Sequence, residues 1–212
     1  DVARRGKYIR FVLSNKHSLL FHLRMTGHFT FDGIKQTHQA AIFHFSDKHS
    51  LTFHSIRRFS TAECLSQKQL ATKLQNLGKE PLEISTEQFL ALVQEFPQAN
   101  IKSKLLDQTF LAGVGNIYAQ EALYHARVHP DQAISDIPAK ALKNIFTELQ
   151  RILRLAIKNN GTTVHNYTNI DGKGDFQQFL AVYNQEKCPQ GHPTSRMVIQ
   201  GRGTYYCKKC QR

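Results

Sequence analysis

Residues Leu105–Glu121 read LLDQTFLAGVGNIYAQE, a turn running into a helix. Gly113 and Gly115 flank Val114, and glycines that close supply backbone angles other residues avoid. Asn116 stands at the expected helix start, where an Asn side chain caps free amides. Ile117, Ala119, Ala122 and Leu123 give the following helix a mostly apolar face. A glycine turn ahead of a helix N-terminus presents unpaired N–H groups at the positive end of the helix dipole, which suits a phosphate. The same pattern also serves as a plain tight turn between packed helices.

The totals narrow the function classes. The 212 residues admit one large domain or two to three small ones, and 41% hydrophobic residues suffice for real cores. No stretch is long and apolar enough to span a membrane, and the polar, basic Asp1–Arg10 lacks a secretory pattern. Lys and Arg number 28 against 16 Asp and Glu, a net charge of +12. That balance favours a polyanionic partner, nucleic acid above all, although a charged solvated surface gives the same count. Cys64 stands alone and reads as a buried, reduced thiol. Cys188, Cys207 and Cys210 cluster near a histidine, which points to metal in a reducing compartment.

Upstream of the opening stretch, residues 1–64 read as strands at Lys7–Leu13, Ser18–Leu23, Gln39–Phe45 and Leu51–His54. Asn15-Lys16, Asp32-Gly33 and Asp47-Lys48 supply the turns, and connections this short make the pairing antiparallel. A sheet of about four strands is marginal by itself, so further residues are expected upstream. Residues 65–84 read as a linker carrying a short helix, Gln67–Leu77. Residues 85–185 read as a helical domain. Ser85 with Gln88 forms a capping box for Thr86–Phe96, Ile101–Asp107 is a short helix, and Asp136 and Pro138 open a long one to about Asn159. Its apolar stripe is Leu142, Ile145, Phe146, Leu149, Ile152, Leu153 and Ala156. Residues 161–177 form a glycine-rich loop of the length usually reserved for function or disorder.

Residues 186–212 form the last module. Cys188 and His192, then Cys207 and Cys210, have zinc-ligand spacing, and Val198–Ile199 can pair with Thr204–Tyr206 between the halves. About 25 residues cannot bury a core, so one structural zinc ion would supply most of the folding energy. Arg202, between Gly201 and Gly203, is placed to project at a phosphate, or is an ordinary exposed turn arginine.

Together these motifs resemble the formamidopyrimidine-DNA glycosylase/endonuclease VIII family. The resemblance is carried by Arg5-Gly6-Lys7-Tyr8 with His22–Gly27, by Arg57-Arg58-Phe59, by Leu105–Glu121 through His129-Pro130, and by Gly161-Thr162-Thr163 through Asp171-Gly172-Lys173 to Gly201-Arg202-Gly203. It implies a multidomain α+β protein with a partial antiparallel β-sandwich, a helix–two-turn–helix domain and a C-terminal zinc-finger hairpin. It implies excision of oxidised purines, 8-oxoguanine and formamidopyrimidines, with cleavage at the abasic site. The partner is double-stranded DNA with an oxidised base or abasic site, met by a bacterial cytoplasmic, nucleoid-associated monomer. Glycosylases turn the target base out of the stack and fill the gap. The family-matched wedge is Met25, Arg57 and Phe59, although Met25 and Phe59 also read as sheet core. Asn116 and Arg202 match phosphate ligands, and His38 and Lys102 match positions that touch DNA or lesion. Lys7 matches an active-site lysine, Arg202 the arginine of the δ-elimination step, and Asp171, Gly172, Lys173, Gly174, Asp175 and Phe176 the loop over the flipped base. Glu121 reads as a structural or active-site carboxylate.

The family nucleophile is an N-terminal proline followed by glutamate, and the resemblance places roughly fifty residues ahead of Arg5, in line with ordinary domain size. This chain does not begin Pro-Glu, so it reads as a fragment that does not excise bases. His192 stands where the family has cysteine and lies one residue further on, and Ser60 stands where the family has glycine. Two other readings share much of this pattern: a non-catalytic module for gaps or abasic sites, and an oxidised-pyrimidine glycosylase of the endonuclease VIII type. A zinc-ribbon protein adaptor is a third.

Overall fold

Phe21 is fully buried, with its ring 5.1 Å from Phe29 and 5.2 Å from both Phe53 and Phe11. These rings come from two antiparallel sheets packed face to face. The first has the order β1 (Val2–Arg5), β2 (Tyr8–Val12), β3 (His17–His22), β7 (Thr61–Ser66). The second has the order β4 (Gly27–Phe31), β6 (Ser50–Ser55), β5 (Gln39–His44). Lys16 and Lys48, in the expected turns, take positive φ of 64° and 70°. The computed structural model describes residues 1–32, 37–162 and 174–212. Its first unit is Asp1–Gln75 with Lys158–Gln177, and its second is Asn76–Ile157 with Gln178–Arg212.

The sandwich has more strands than the sequence patterns indicate. β1, β4 and β7 lack a clear apolar alternation: β1 is VARR, β4 opens on glycine, and β7 interleaves Glu63 with small residues. Cross-strand pairing forms them in spite of weak local preference. Cys64 is exposed on β7, not buried, because strand alternation turns it and Ala62 outward. The expected linker holds the end of β7 and α1 (Gln67–Leu74), which Ser66 and Gln69 start with a capping box.

In the second unit, α2 (Thr86–Gln94) begins at the Ser85–Gln88 capping box read from sequence. α3 (Ile101–Leu106), α4 (Asn116–His125) and α5 (Ala139–Lys158) follow. Leu142, Ile145, Phe146, Leu149, Ile152 and Ala156 are buried along α5, and Phe146 stacks on Phe89 of α2 at 4.5 Å. The hairpin β8 (Ser195–Ile199) and β9 (Arg202–Tyr206) belongs to this same unit, not to one of its own. The whole is a mixed α+β protein. No helix among the described residues is long and apolar enough to cross a membrane.

Candidate nucleic-acid interface and metal centre

The opening stretch folds as a braced loop. Gly113 has φ 91°, and its amide donates to Gln108 Oε1 at 2.9 Å. Gln108 Nε2 donates to Val114 O at 3.0 Å and Leu106 O at 2.9 Å, so one side chain holds both ends of the turn. Nothing in the sequence singled out Gln108. Gly115 is the N-cap of α4, at an ordinary φ of −111°, and no side chain caps the helix. Asn116 is therefore the first helical residue, not the cap. Its Nδ2 donates to Gly203 O on β9 at 3.1 Å, while its buried Oδ1 has no protein partner.

Lys102 lies near enough to Arg202 to feel its charge. Lys102, on α3, is fully buried, and no protein group accepts from its Nζ. Burial, and then the nearby positive charge of Arg202, lower its pKa to about 8. A buried ammonium that also feels a guanidinium is costly unless an anion neutralises it. Arg202 is exposed and opens β9. The hairpin tip is Gln200-Gly201, with φ of 46° and 71°, a two-residue turn with both central residues left-handed. The arginine thus starts a strand and does not sit on the tip.

α4 holds this arrangement through buried polar side chains. Gln120 contacts β9, and Glu121, at 1% exposure, accepts from the amides of Ala181, Val182 and Tyr183 at 2.7–3.0 Å. Burial pushes the Glu121 carboxyl pKa up, against those three amides. Of the two roles read for Glu121, the contacts are those of a structural carboxylate.

Cys188, His192, Cys207 and Cys210 bring their ligand atoms within 4.8 Å of one another. Cys188 Sγ lies 3.9 Å from Cys210 Sγ and from His192 Nδ1, and His192 Nδ1 lies 3.3 Å from Cys210 Sγ. A tetrahedral zinc site with Zn–S of about 2.3 Å has sulfur–sulfur edges of about 3.8 Å, so the set fits. The extra residue before His192 is absorbed by Gly191 at φ 77°. A basic cleft of about 550 Å³ beside it is lined by Tyr124, Arg127, Lys209, Cys210 and Arg212. Tyr124 and His125, which also lines it, are at the C-terminal end of α4, where positive charge complements the helix dipole.

In the first unit, Met25, Arg57 and Phe59 meet at the surface. Arg57 Nη2 is 3.2 Å from Met25 Sδ, and its guanidinium lies 5.5 Å from the Phe59 ring centre. Met25 is 68% and Phe59 66% exposed, so neither belongs to the sheet core. Ser60 Oγ donates to Leu23 O at 2.9 Å and ties the two wedge loops together. Lys7 is not on a strand. It is exposed in the Gly6-Lys7 turn, where Gly6 has φ 55°; burial, then the charge of Arg24 and last that of Lys7 lower the His22 pKa. His38 is exposed at φ 67°, on a cleft of about 410 Å³ that it shares with Arg58, Ser55 and Ser60.

Asp171, Gly172 and Lys173 lie outside the described residues. Gly174, Asp175 and Phe176 close back onto Asn159–Thr162: Asp175 N donates to Asn159 O at 2.9 Å, and Phe176 N to Gly161 O at 3.1 Å. A Cβ on Gly174 would sit 2.2 Å from Gly161 O, which explains the glycine. Phe176 is buried, so it serves the base of the loop.

Comparison with known proteins agrees with this geometry. Residues 1–62 match the formamidopyrimidine-DNA glycosylase N-terminal domain, and residues 77–168 match the formamidopyrimidine-DNA glycosylase H2TH domain. The formamidopyrimidine-DNA glycosylase of Listeria monocytogenes is 38% identical over 222 residues, covering 100% of this chain and 81% of that protein. That of Desulforamulus reducens is 34% identical over 221 residues, covering 100% and 80%. The Lactococcus lactis Fpg in complex with abasic-site DNA superposes with a TM-score of 0.90 at 30% identity, over 100% of this chain and 81% of that one. The MutM (Fpg) protein of Thermus thermophilus does so with a TM-score of 0.89 at 35% identity, over 100% and 82%. With matches to both domains and relatives well above 30% identity aligned along its full length, the chain belongs to the formamidopyrimidine-DNA glycosylase family.

Proposed function

We propose that this chain is the DNA-recognition body of a base-excision-repair glycosylase for oxidised purines, with abasic-site lyase chemistry. The observation that carries the reading is the bond from Asn116, first residue of the uncapped α4, to Gly203 beside Arg202, with a fully buried Lys102 that feels the charge of Arg202. Among the described residues Lys102 Nζ has no acceptor, the Asn116 side-chain amide donates to Gly203 O with room for a second bond, and a Cβ on Gly115 would meet nothing within 4 Å. A backbone phosphate supplies the missing negative charge and accepts from all three groups and from the helix amides. Such a clamp fixes one nucleotide while its base is extruded. Met25, Arg57 and Phe59 are then the wedge that enters the stack, with Arg57 toward the orphaned base. Lys7 is the proton donor at the sugar, Arg202 also serves δ-elimination, and His38 contacts the backbone. The loop that Asp171–Phe176 belongs to serves the lesion, with Phe176 anchoring its base. Cys188, His192, Cys207 and Cys210 hold one structural zinc ion, whose contribution is to fold the hairpin that presents Arg202. The protein acts as a monomer in the bacterial cytoplasm.

Fluorescence anisotropy with a duplex carrying a tetrahydrofuran abasic-site analogue, against the undamaged duplex, tests the clamp. Tighter binding to the analogue with a steep salt dependence is expected. Equal affinity for both duplexes at every salt concentration would end the reading. Where bases are released, their chromatography separates oxidised purines from the oxidised pyrimidines of an endonuclease VIII type; absence of release agrees with the fragment reading as well as with the non-catalytic binder.

A further inference from the structure

Gln120 lies one turn along α4 from Asn116, on the same face, at 1% exposure. Its Nε2 donates to Asn116 O at 2.9 Å and to Gly203 O at 3.3 Å. Its Oε1 accepts from Tyr205 N at 2.5 Å. Gly203 and Tyr205 are two residues apart on β9, so their backbone groups point to the same edge, the one β8 leaves open in this two-stranded sheet. The Gln120 amide therefore pairs with β9 as the peptide group of a third strand would. Gln alone combines a donor, an acceptor and this reach; Asn is one methylene shorter and Glu has no donor when ionised. Thr204 Oγ1 donates to Arg202 O at 3.0 Å and holds the arginine's own carbonyl.

We infer that Gln120 is a positioning residue for Arg202, setting the height of β9 against α4 so that Arg202 and Asn116 reach the same phosphate. The inference rests on the clamp described under Proposed function. Asn116 alone leaves β9 free to pivot about one hydrogen bond to Gly203; Gln120 adds a second point two residues on and fixes the direction of the strand. The zinc ligands do not do this, because Cys207 and Cys210 follow β9 at its far end from Arg202.

The test uses the full chain with zinc bound and the tetrahydrofuran duplex, at several salt concentrations. Arg202→Ala is expected to lower the slope of log affinity against log salt by about 0.9, the value of one phosphate contact. Gln120→Met, nearly isosteric but unable to hydrogen-bond, is expected to lose the same slope with unchanged zinc content. The double variant is expected to bind no more weakly than Arg202→Ala. A Gln120→Met chain that keeps the parent slope while Arg202→Ala loses it overturns the positioning role and leaves the clamp standing. An Arg202→Ala chain with the parent slope overturns the clamp and the inference with it. Should Gln120→Met fail to fold, Gln120→Glu decides: its carboxyl regains a donor for Gly203 O on protonation, so its affinity relative to the parent should recover as pH falls. No recovery overturns the inference.

Discussion

Asn116, the first residue of α4, donates its side-chain amide to the carbonyl of Gly203, 87 residues later and immediately after Arg202, at 3.1 Å. The bond joins the two sequence motifs with the strongest family character into one site. Asn116→Ala should therefore lose both this tie and the hydrogen left for phosphate. At about 1 kcal/mol for a typical hydrogen bond, binding to an abasic-site duplex should weaken roughly tenfold or somewhat less, measured by anisotropy. Asn116→Asp keeps the shape, sets a carboxylate against the phosphate, and should weaken it further. If Asn116→Asp binds as well as the parent, no phosphate sits here.

Lys102 makes a pH prediction with two opposed signs. Its folded-state pKa is lowered to about 8, by burial first and Arg202 second. An unfolded lysine titrates near its ordinary value of about 10.4. Between these values the unfolded chain holds more protons, so the stability of the free protein should rise with pH through that window. A bound phosphate favours the ammonium, raises its pKa and makes binding take up a proton. DNA affinity should therefore fall as pH rises above 8, by up to about tenfold per unit. Lys102→Met should remove both dependences, weaken DNA binding, and leave the chain at least as stable at pH 7, as replacing a buried unpaired charge tends to do. Urea melts and anisotropy across pH 7–10 read both quantities.

How far the sequence discloses this site depends on whether a residue's role is local. The Ser85–Gln88 box, the α5 stripe and the zinc ligands are set by spacing within a few turns, and each is legible. Gln108, half-buried in the loop, and Gln120, buried on α4, are not, since a side-chain amide that braces a loop or a strand looks like any other glutamine until the groups it meets are known. β1 and β7 are missed for the same reason: their pairing energy comes from neighbours, not from their own residues. Met25 and Phe59 read by themselves as sheet core and as wedge only through the resemblance, because apolar character alone does not reveal which side of a sheet's end loop a residue faces. Lys102 looks like one of 28 cations; its distinction lies in complete burial.

Metal removal should disarm the clamp without melting the helices. The helical core contains Phe89, Ile101, Leu105, Leu123 and Phe146, all fully buried and none of them a ligand. The hairpin is held by the ligand set, by the bonds from α4 and by a small cluster in which Cys188 and Cys207 themselves pack with Tyr124, Ala181 and Val182, so losing the metal loosens that cluster as well. Chelation, or His192→Ala, should leave far-UV circular dichroism largely intact while abolishing the salt-dependent DNA binding that Arg202 supplies. His192→Cys should retain zinc, since a thiolate suits the same tetrahedral position, although the additional residue of spacing was accommodated for an imidazole. Metal analysis with parallel anisotropy separates these cases; full DNA affinity in the stripped protein would show that the hairpin stands without a metal.

The wedge offers the sharpest separation of stability from function. Met25 and Phe59 are about two-thirds exposed, and Arg57 lies between them, 3.2 Å from the sulfur and 5.5 Å from the ring centre. Exposed side chains with so little burial seldom matter for folding, and Phe59→Ala or Met25→Ala should alter stability by no more than about 0.5 kcal/mol. Each should nonetheless lower the protein's ability to open a base pair, because an alanine cannot occupy the vacated space in the stack. Arg57→Ala should be the most damaging of the three, since it removes the donor to the orphaned base and the cation between the two apolar neighbours. A duplex with 2-aminopurine beside the lesion reports unstacking directly: the parent should raise its fluorescence, and the three variants should raise it less. A set of variants that unstacks like the parent would return Met25 and Phe59 to the status of ordinary surface residues.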